Sequence, residues 1–78
     1  MERRIIIYGT SACPYCIKAK QYFKENGIEF EDIDISTQPD KVKEMFAKSN
    51  QMGVPVLDIN GQIIVGFDKD KIDAALNS

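Results

Sequence analysis

The sequence predicts an α/β fold: a four-stranded mixed sheet flanked by helices, in the order β-α-β-α-β-β-α. Three observations point there. Short apolar, β-branched runs alternate with segments of helical periodicity, which is the pattern of a βαβ unit. Asn60-Gly61 separates two apolar runs by two residues, a strong hairpin signal. The only two cysteines stand three apart in Cys13-Pro14-Tyr15-Cys16, where the first strand pattern gives way to the first helical one.

The first strand spans Arg3 to Tyr8. Its near-continuous apolar run, Ile5-Ile6-Ile7-Tyr8, predicts burial on both faces, while Arg3 and Arg4 read as a solvated strand entrance. Gly9, Thr10 and Ser11 supply turn chemistry. A helix from about Pro14 to Asn26 follows, with Cys16, Ala19 and Phe23 on its inner face and Gly27 as its stop. Lys18 and Lys20 fall on this helix as polar-face residues or as a positive field for an anionic substrate. Ile28 to Ile35 reads as a second strand, acidic outside. Its alternation slips at Glu31-Asp32, which predicts a twist or bulge there. Ser36 or Thr37 is the expected cap of a second helix, with Pro39 near its start and Val42, Met45, Phe46 and Ser49 inward, ending near Ser49-Asn50. Pro55 opens a strand from Val56 to Ile59. The hairpin returns through Gln62 to Val65, and Asp68 caps a last helix from about Lys69 to Leu76, with Ile72, Ala75 and Leu76 inward. Residues 1–78 read as one domain, without repeats or linkers.

Composition narrows the function classes. A net charge of −2 disfavours a general nucleic-acid surface. No apolar run is long enough to span a bilayer, and the first residues lack the apolar core of a secretory signal. A two-cysteine chain of this kind is expected in the cytoplasm, where thiols are kept reduced.

The cysteine pair carries the chemistry. Pro14 suits the first helical position, which places Cys13 at the helix N-terminus beside unsatisfied N–H groups and the positive end of the dipole. A thiolate is stabilised there, and thiols in such Cys-x-x-Cys sites ionise well below the ordinary value. Cys16 falls nearly one turn on, deeper, where it is better suited to resolve a mixed disulfide than to open one. A purely structural disulfide would close a very short loop and restrict the unfolded chain little. Zinc usually takes four protein ligands, and this chain has two cysteines and no histidine. Elsewhere, Gly53 permits close backbone approach beside Val54-Pro55.

The element order, Cys13-Pro14-Tyr15-Cys16, Val54-Pro55 and Gly66-Phe67-Asp68 together resemble a glutaredoxin of the dithiol type, in the thioredoxin fold, over essentially the whole chain. Gly53-Val54-Pro55-Val56 and Val65-Gly66-Phe67-Asp68 look most like a small prokaryotic branch, some members of which carry selenocysteine where this chain has Cys13. The resemblance implies a thiol–disulfide oxidoreductase with Cys13 as nucleophile and Cys16 as resolving thiol. It implies that Tyr15 flanks the substrate, that Val54 pairs its backbone with the cysteinyl unit of glutathione, and that the Val54–Pro55 bond is cis. Gly66, Phe67 and Asp68 would hold the γ-glutamyl end, with helix N–H groups for the carboxylate and Asp68 for the ammonium.

Glutathione is thus the implied co-substrate, with no tightly bound cofactor or metal, and the implied partners are glutathionylated or disulfide-containing proteins met by a monomer. Two positions depart from the pattern of glutathione-using members. Thr10 stands where they commonly have lysine, and Val65-Gly66 stands where they have Gly-Gly. The missing lysine removes a glutathione carboxylate contact and a charge that favours the thiolate, for which Lys18 is expected to compensate in part. These departures favour an alternative, a thioredoxin-like donor reduced by a thioredoxin reductase and serving, for example, ribonucleotide reductase. A dimer holding an iron–sulfur cluster through Cys13 and glutathione is the rival from another class, disfavoured by Pro14.

Overall fold

The computed structural model describes residues 4–77. The elements are β1 (Ile5–Gly9), α1 (Pro14–Glu25), β2 (Glu31–Asp34), α2 (Lys41–Ser49), β3 (Val56–Ile59), β4 (Gln62–Val65) and α3 (Lys69–Leu76). The sheet order is β2-β1-β3-β4, with β1 parallel to β2 and antiparallel to β3, and β3 antiparallel to β4.

β1 is central and every residue in it is buried, as its unbroken apolar run predicts. Ile5 and Ile7 pack on one face with Ala19 and Phe23 of α1, Leu57, Ile59 and Ile64 of the hairpin, and Ile72 and Ala75 of α3. Ile6 and Tyr8 pack on the other with Ile33, Met45 and Val56. The Tyr8 hydroxyl lies in this second layer. It donates to Glu44 and accepts from Lys48 Nζ at 2.8 Å, and Lys48 is in turn 2.7 Å from Asp58. A phenol buried under α2 is therefore fully partnered.

Two turns depend on unusual backbone. Asn60 and Gly61 both have positive φ, 53° and 93°, which closes the β3–β4 hairpin in the way the Asn-Gly pair predicts. Gly27, at φ 66°, ends the α1 segment just beyond its Asn26 cap.

The structure corrects several sequence expectations. β1 begins at Ile5 and includes Gly9, which pairs with Asp34 rather than starting the turn. Arg3 lies outside the described residues. β2 has no bulge: Ile6, Ile7, Tyr8 and Gly9 pair one-to-one with Glu31, Asp32, Ile33 and Asp34. The apparent slip has another cause. Ile28 and Phe30 pack on the α1–α3 layer and Ile33 and Ile35 on the α2 layer, so the apolar residues change face while the backbone keeps its period. Neither Ser36 nor Thr37 caps α2. Asp40 occupies that position without a side-chain bond, and Ser36 instead donates to Asp34 in the preceding turn. Phe46 is 45% exposed, and only Met45 of the expected inner face is fully buried. A nine-residue helix on one sheet face has room to bury little more than one stripe.

Topology positions the candidate site. The C-terminal end of β1 and the N-terminal end of β3 meet, because Tyr8 pairs with Val56 in an antiparallel register. Val56 pairs in turn with Val65, which brings Gly66 alongside Pro55. Three loops distant in sequence are thereby side by side.

Candidate active site

Cys13 is the N-cap of α1, in extended conformation with φ −89° and ψ 114°. Its side chain does what a serine or aspartate does at an N-cap: Sγ accepts the Cys16 N–H at 3.3 Å. Pro14 follows at the first helical position, where its missing N–H costs nothing. The Cys13 N–H donates to Thr10 O at 3.3 Å, which closes the turn leading from β1.

Both cysteines are free thiols, Cys13 partly exposed and Cys16 fully buried. Their ionisation is pushed apart. Burial is the largest single influence and raises the Cys13 thiol, but the hydrogen bond from the Cys16 thiol, the Cys16 and Tyr15 N–H groups and the charge of Lys20 together outweigh it; the net shift is downward. Cys16 is pushed up to about 11, first by burial and then by the hydrogen bond it gives to Cys13. The Cys13 charge adds to that rise, while a hydrogen bond with the Thr10 backbone and the Lys20 charge oppose it. Cys13 is thus the more readily ionised sulfur, while Cys16 holds its proton. A pair of this kind has the chemistry for thiol–disulfide exchange: the anionic sulfur attacks a disulfide, and the second then closes on it.

Two contributors stand out, one that the sequence offered only as a positive field for a substrate and one that it missed. The cation acting on both thiols is Lys20, which also lies 3.0 Å from Asp32. Lys18 is turned elsewhere, with its Nζ 5.3 Å from the centroid of the Tyr15 ring. Gly9 is the other. A Cβ there would stand 2.6 Å from Cys16 Sγ and 3.1 Å from its Cβ, so the bare glycine makes room for the buried thiol. A glycine closing a β-branched run just ahead of a Cys-x-x-Cys was the available signal.

Of the remaining residues singled out in the sequence, Val54 is brought against Cys13 and Gly66 against Pro55. The Val54 carbonyl oxygen lies 3.9 Å from Cys13 Sγ, and the Val54–Pro55 bond is cis, as the family resemblance implies. Gly53 precedes it, held by Gln51. Gly66, at φ 84°, donates its N–H to Pro55 O at 2.8 Å. Asp68 caps α3 by accepting the Lys71 N–H at 3.2 Å. The Phe67 ring turns inward against the α1–α3 layer and meets Tyr22 edge-on, with centroids 6.0 Å apart. Tyr15 stands beside Cys13, 57% exposed. Among the described residues, no group of three or more histidine, cysteine, aspartate or glutamate side chains is placed to hold a metal ion, and no helix is long and apolar enough to cross a membrane.

Comparison with known proteins agrees with this geometry. Residues 5–64 match the glutaredoxin family model. The chain is 46% identical over 69 residues to an uncharacterised glutaredoxin-like 8.6 kDa protein in the rubredoxin operon of Clostridium pasteurianum, covering 88% of this chain and 92% of that one. It is 32% identical over 81 residues to a glutaredoxin of Pseudomonas aeruginosa, covering 95% and 96%. In three dimensions it is similar to the glutaredoxin-like protein NrdH-redoxin of Escherichia coli, with a TM-score of 0.81 and 27% identity over 91% of this chain and 92% of that one. A mixed sheet of this topology, closed by an N-capping cysteine of lowered pKa opposite a cis-proline, is the thioredoxin fold, and the chain belongs to the glutaredoxin family of thiol–disulfide oxidoreductases.

Proposed function

We propose that the protein is a glutathione-dependent thiol–disulfide oxidoreductase that reduces glutathione mixed disulfides and protein disulfides through Cys13 and Cys16. The observation that carries this reading is the split in the dithiol, with Cys13 favoured as thiolate and Cys16 held protonated at about 11. The Cys13 thiolate attacks one sulfur of the substrate disulfide; a new S–S bond forms, the old one breaks, and the other sulfur leaves as a thiolate. The mixed disulfide then has two exits. Where the bound half is glutathione, a second glutathione thiolate attacks its sulfur, forming glutathione disulfide and releasing Cys13 as the thiolate; otherwise Cys16 loses its proton, attacks Cys13 Sγ and expels the substrate as a thiol. The resulting internal disulfide is reduced by two glutathione molecules, which supply the two electrons and leave as glutathione disulfide.

The other site residues have roles in this reading. Tyr15 flanks the substrate, with Lys18 held over its ring as part of a positive rim. Val54, set between Gly53 and Pro55, offers backbone groups to the substrate's cysteinyl unit. Gly66, Phe67 and Asp68 receive the γ-glutamyl end through the backbone and the Asp68 carboxylate. Residues 1–78 act as one cytoplasmic domain and as a monomer, without a tightly bound cofactor.

A second reading is supported by Thr10 and by the similarity to NrdH-redoxin, whose described activity profile is thioredoxin-like. Here a thioredoxin reductase, not glutathione, reduces the Cys13–Cys16 disulfide. Turnover of a glutathione mixed disulfide, measured once with glutathione and its reductase and once with thioredoxin reductase, tests the two. Activity in the first arm supports glutathione dependence, and activity confined to the second replaces it with the thioredoxin-like reading. Cys13→Ser should abolish both, lowering the rate about a thousandfold or more because a hydroxyl is almost wholly protonated at neutral pH. Cys16→Ser should spare glutathione mixed disulfides and impair protein disulfides.

A further inference from the structure

We propose that Gln51 is a positioning residue for the substrate-facing edge at Val54. The loop from Gln51 to Pro55 belongs to no helix or strand, and Gly53 within it is the residue least able to hold a fixed backbone direction. Gln51 supplies the missing restraint. Its side-chain amide binds Gly53 from both sides, with Oε1 accepting the Gly53 N–H at 2.6 Å and Nε2 donating to Gly53 O at 2.9 Å. The Gln51 carbonyl is itself anchored, 3.0 Å from a Ser49 hydroxyl that also lies 2.8 Å from Met45 O in α2. The clamp is thus tied to the helix that carries the buried Met45.

The consequence for Val54 follows from peptide geometry. Gly53 O and the Val54 N–H belong to one planar trans peptide and point in opposite directions. Fixing Gly53 O on Gln51 therefore fixes the Val54 N–H pointing away from Gln51. That N–H has no hydrogen-bond partner among the described residues. On its far side the segment is fixed again, where Pro55 O accepts the Gly66 N–H, and the Val54 side chain packs against the α2 layer. Between these two restraints the Val54 backbone faces the thiol, with its carbonyl oxygen 3.9 Å from Cys13 Sγ as that group's hydrogen-bond acceptor. An extended peptide bearing a disulfide can pair with this edge in the manner of strand addition. Gln51 makes the edge rigid before the substrate arrives, which lowers the entropy cost of pairing. Gly53 is required for the clamp: a Cβ there would lie 2.7 Å from Gln51 Oε1 and displace the amide.

This proposal rests on the disulfide chemistry proposed above and deepens it, so the test separates the two. Pre-reduced protein is mixed in single turnover, without any reductant system, with two substrates. One is a short peptide carrying a mixed disulfide on an internal cysteine, and the other is dithiobis(nitrobenzoate), which has no peptide backbone to pair. Gln51→Met keeps the shape and removes both bonds. The ratio of the peptide to the aromatic rate constant should fall by about five- to tenfold, the scale of one misaligned peptide hydrogen bond. The pH at which Cys13 becomes reactive should not move. Gly53→Ala should lower the same ratio by displacing the amide, and combining it with Gln51→Met should lower it no further. A ratio unchanged in Gln51→Met overturns the proposal, as does a fall shared equally by both substrates. A wild-type protein that reacts with neither overturns the underlying function as well.

Discussion

Cys13 Sγ lies 3.9 Å from the carbonyl oxygen of Val54, 41 residues further along the chain. The antiparallel pairing of Tyr8 with Val56 makes that proximity, and it sets a helix-capping thiol against an open backbone edge. The following expectations concern how the sulfurs are tuned and how the surrounding frame is held.

The two thiols should titrate apart. Only the thiolate reacts, so the alkylation rate of each cysteine rises about tenfold per pH unit below its pKa and then levels. Iodoacetamide, followed by mass spectrometry across pH, should show Cys13 levelling below the ordinary thiol value of 9.0 and Cys16 only near about 11. In Cys13→Ser the neighbouring thiolate charge is gone, and the Cys16 value should come down. Two coincident profiles in the wild type would contradict the split.

Gly9→Ala places a methyl 2.6 Å from Cys16 Sγ. Overpacking of this kind costs about 1–3 kcal/mol. Urea denaturation should show that loss, and formation of the Cys13–Cys16 disulfide should slow because the displaced sulfur is the one that must close. Wild-type stability together with wild-type closure would show that the strand end accommodates the methyl.

Tyr8→Phe removes the hydroxyl set between Glu44 and Lys48. Glu44 and Lys48 are 40% and 29% exposed and keep Lys41 and Asp58 as partners, so water can replace part of the lost bond and the cost should be about 0.5–1.5 kcal/mol. The stability loss should appear in urea denaturation, while Cys13 alkylation stays as it was, since Tyr8 faces the α2 layer and not the thiols.

Asp68 combines a cap with a proposed ligand contact, and two substitutions separate them. Asp68→Ala removes the acceptor of the Lys71 N–H and should cost about 1 kcal/mol. Asp68→Ser restores the cap without the charge, so stability should return. If the carboxylate also meets the glutathione ammonium, KM for glutathione should rise in both variants. A KM that recovers with the serine would reduce Asp68 to its structural role.

Much of this molecule was legible in the chain because the signals are local. The Asn60-Gly61 turn, the Gly27 stop and the Asp68 cap each follow from what one or two residues allow the backbone to do. The position of Cys13 at a helix N-terminus, with Pro14 after it, is equally local, and it already implies a favoured thiolate. What the sequence determined by itself was therefore the order of elements, the dithiol and which of its sulfurs ionises more readily.

Tertiary structure decided the rest, because it depends on which distant segments meet. The apolar parity change in residues 28–35 resembles a bulge until Ile28 and Phe30 are seen on one layer and Ile33 and Ile35 on the other. Phe46 has the periodicity of a core residue, yet the sheet face under α2 is too small to cover it. Gly9 makes room for Cys16 and the Val54 carbonyl meets Cys13 Sγ through contacts between separate elements, whereas Lys20 stands four residues from Cys16 on α1 and Gln51 two residues from Gly53, so those contacts are local. Hydrogen bonds and close contacts act over a few ångströms of space, and only the packed sheet brings partners from separate elements within that range.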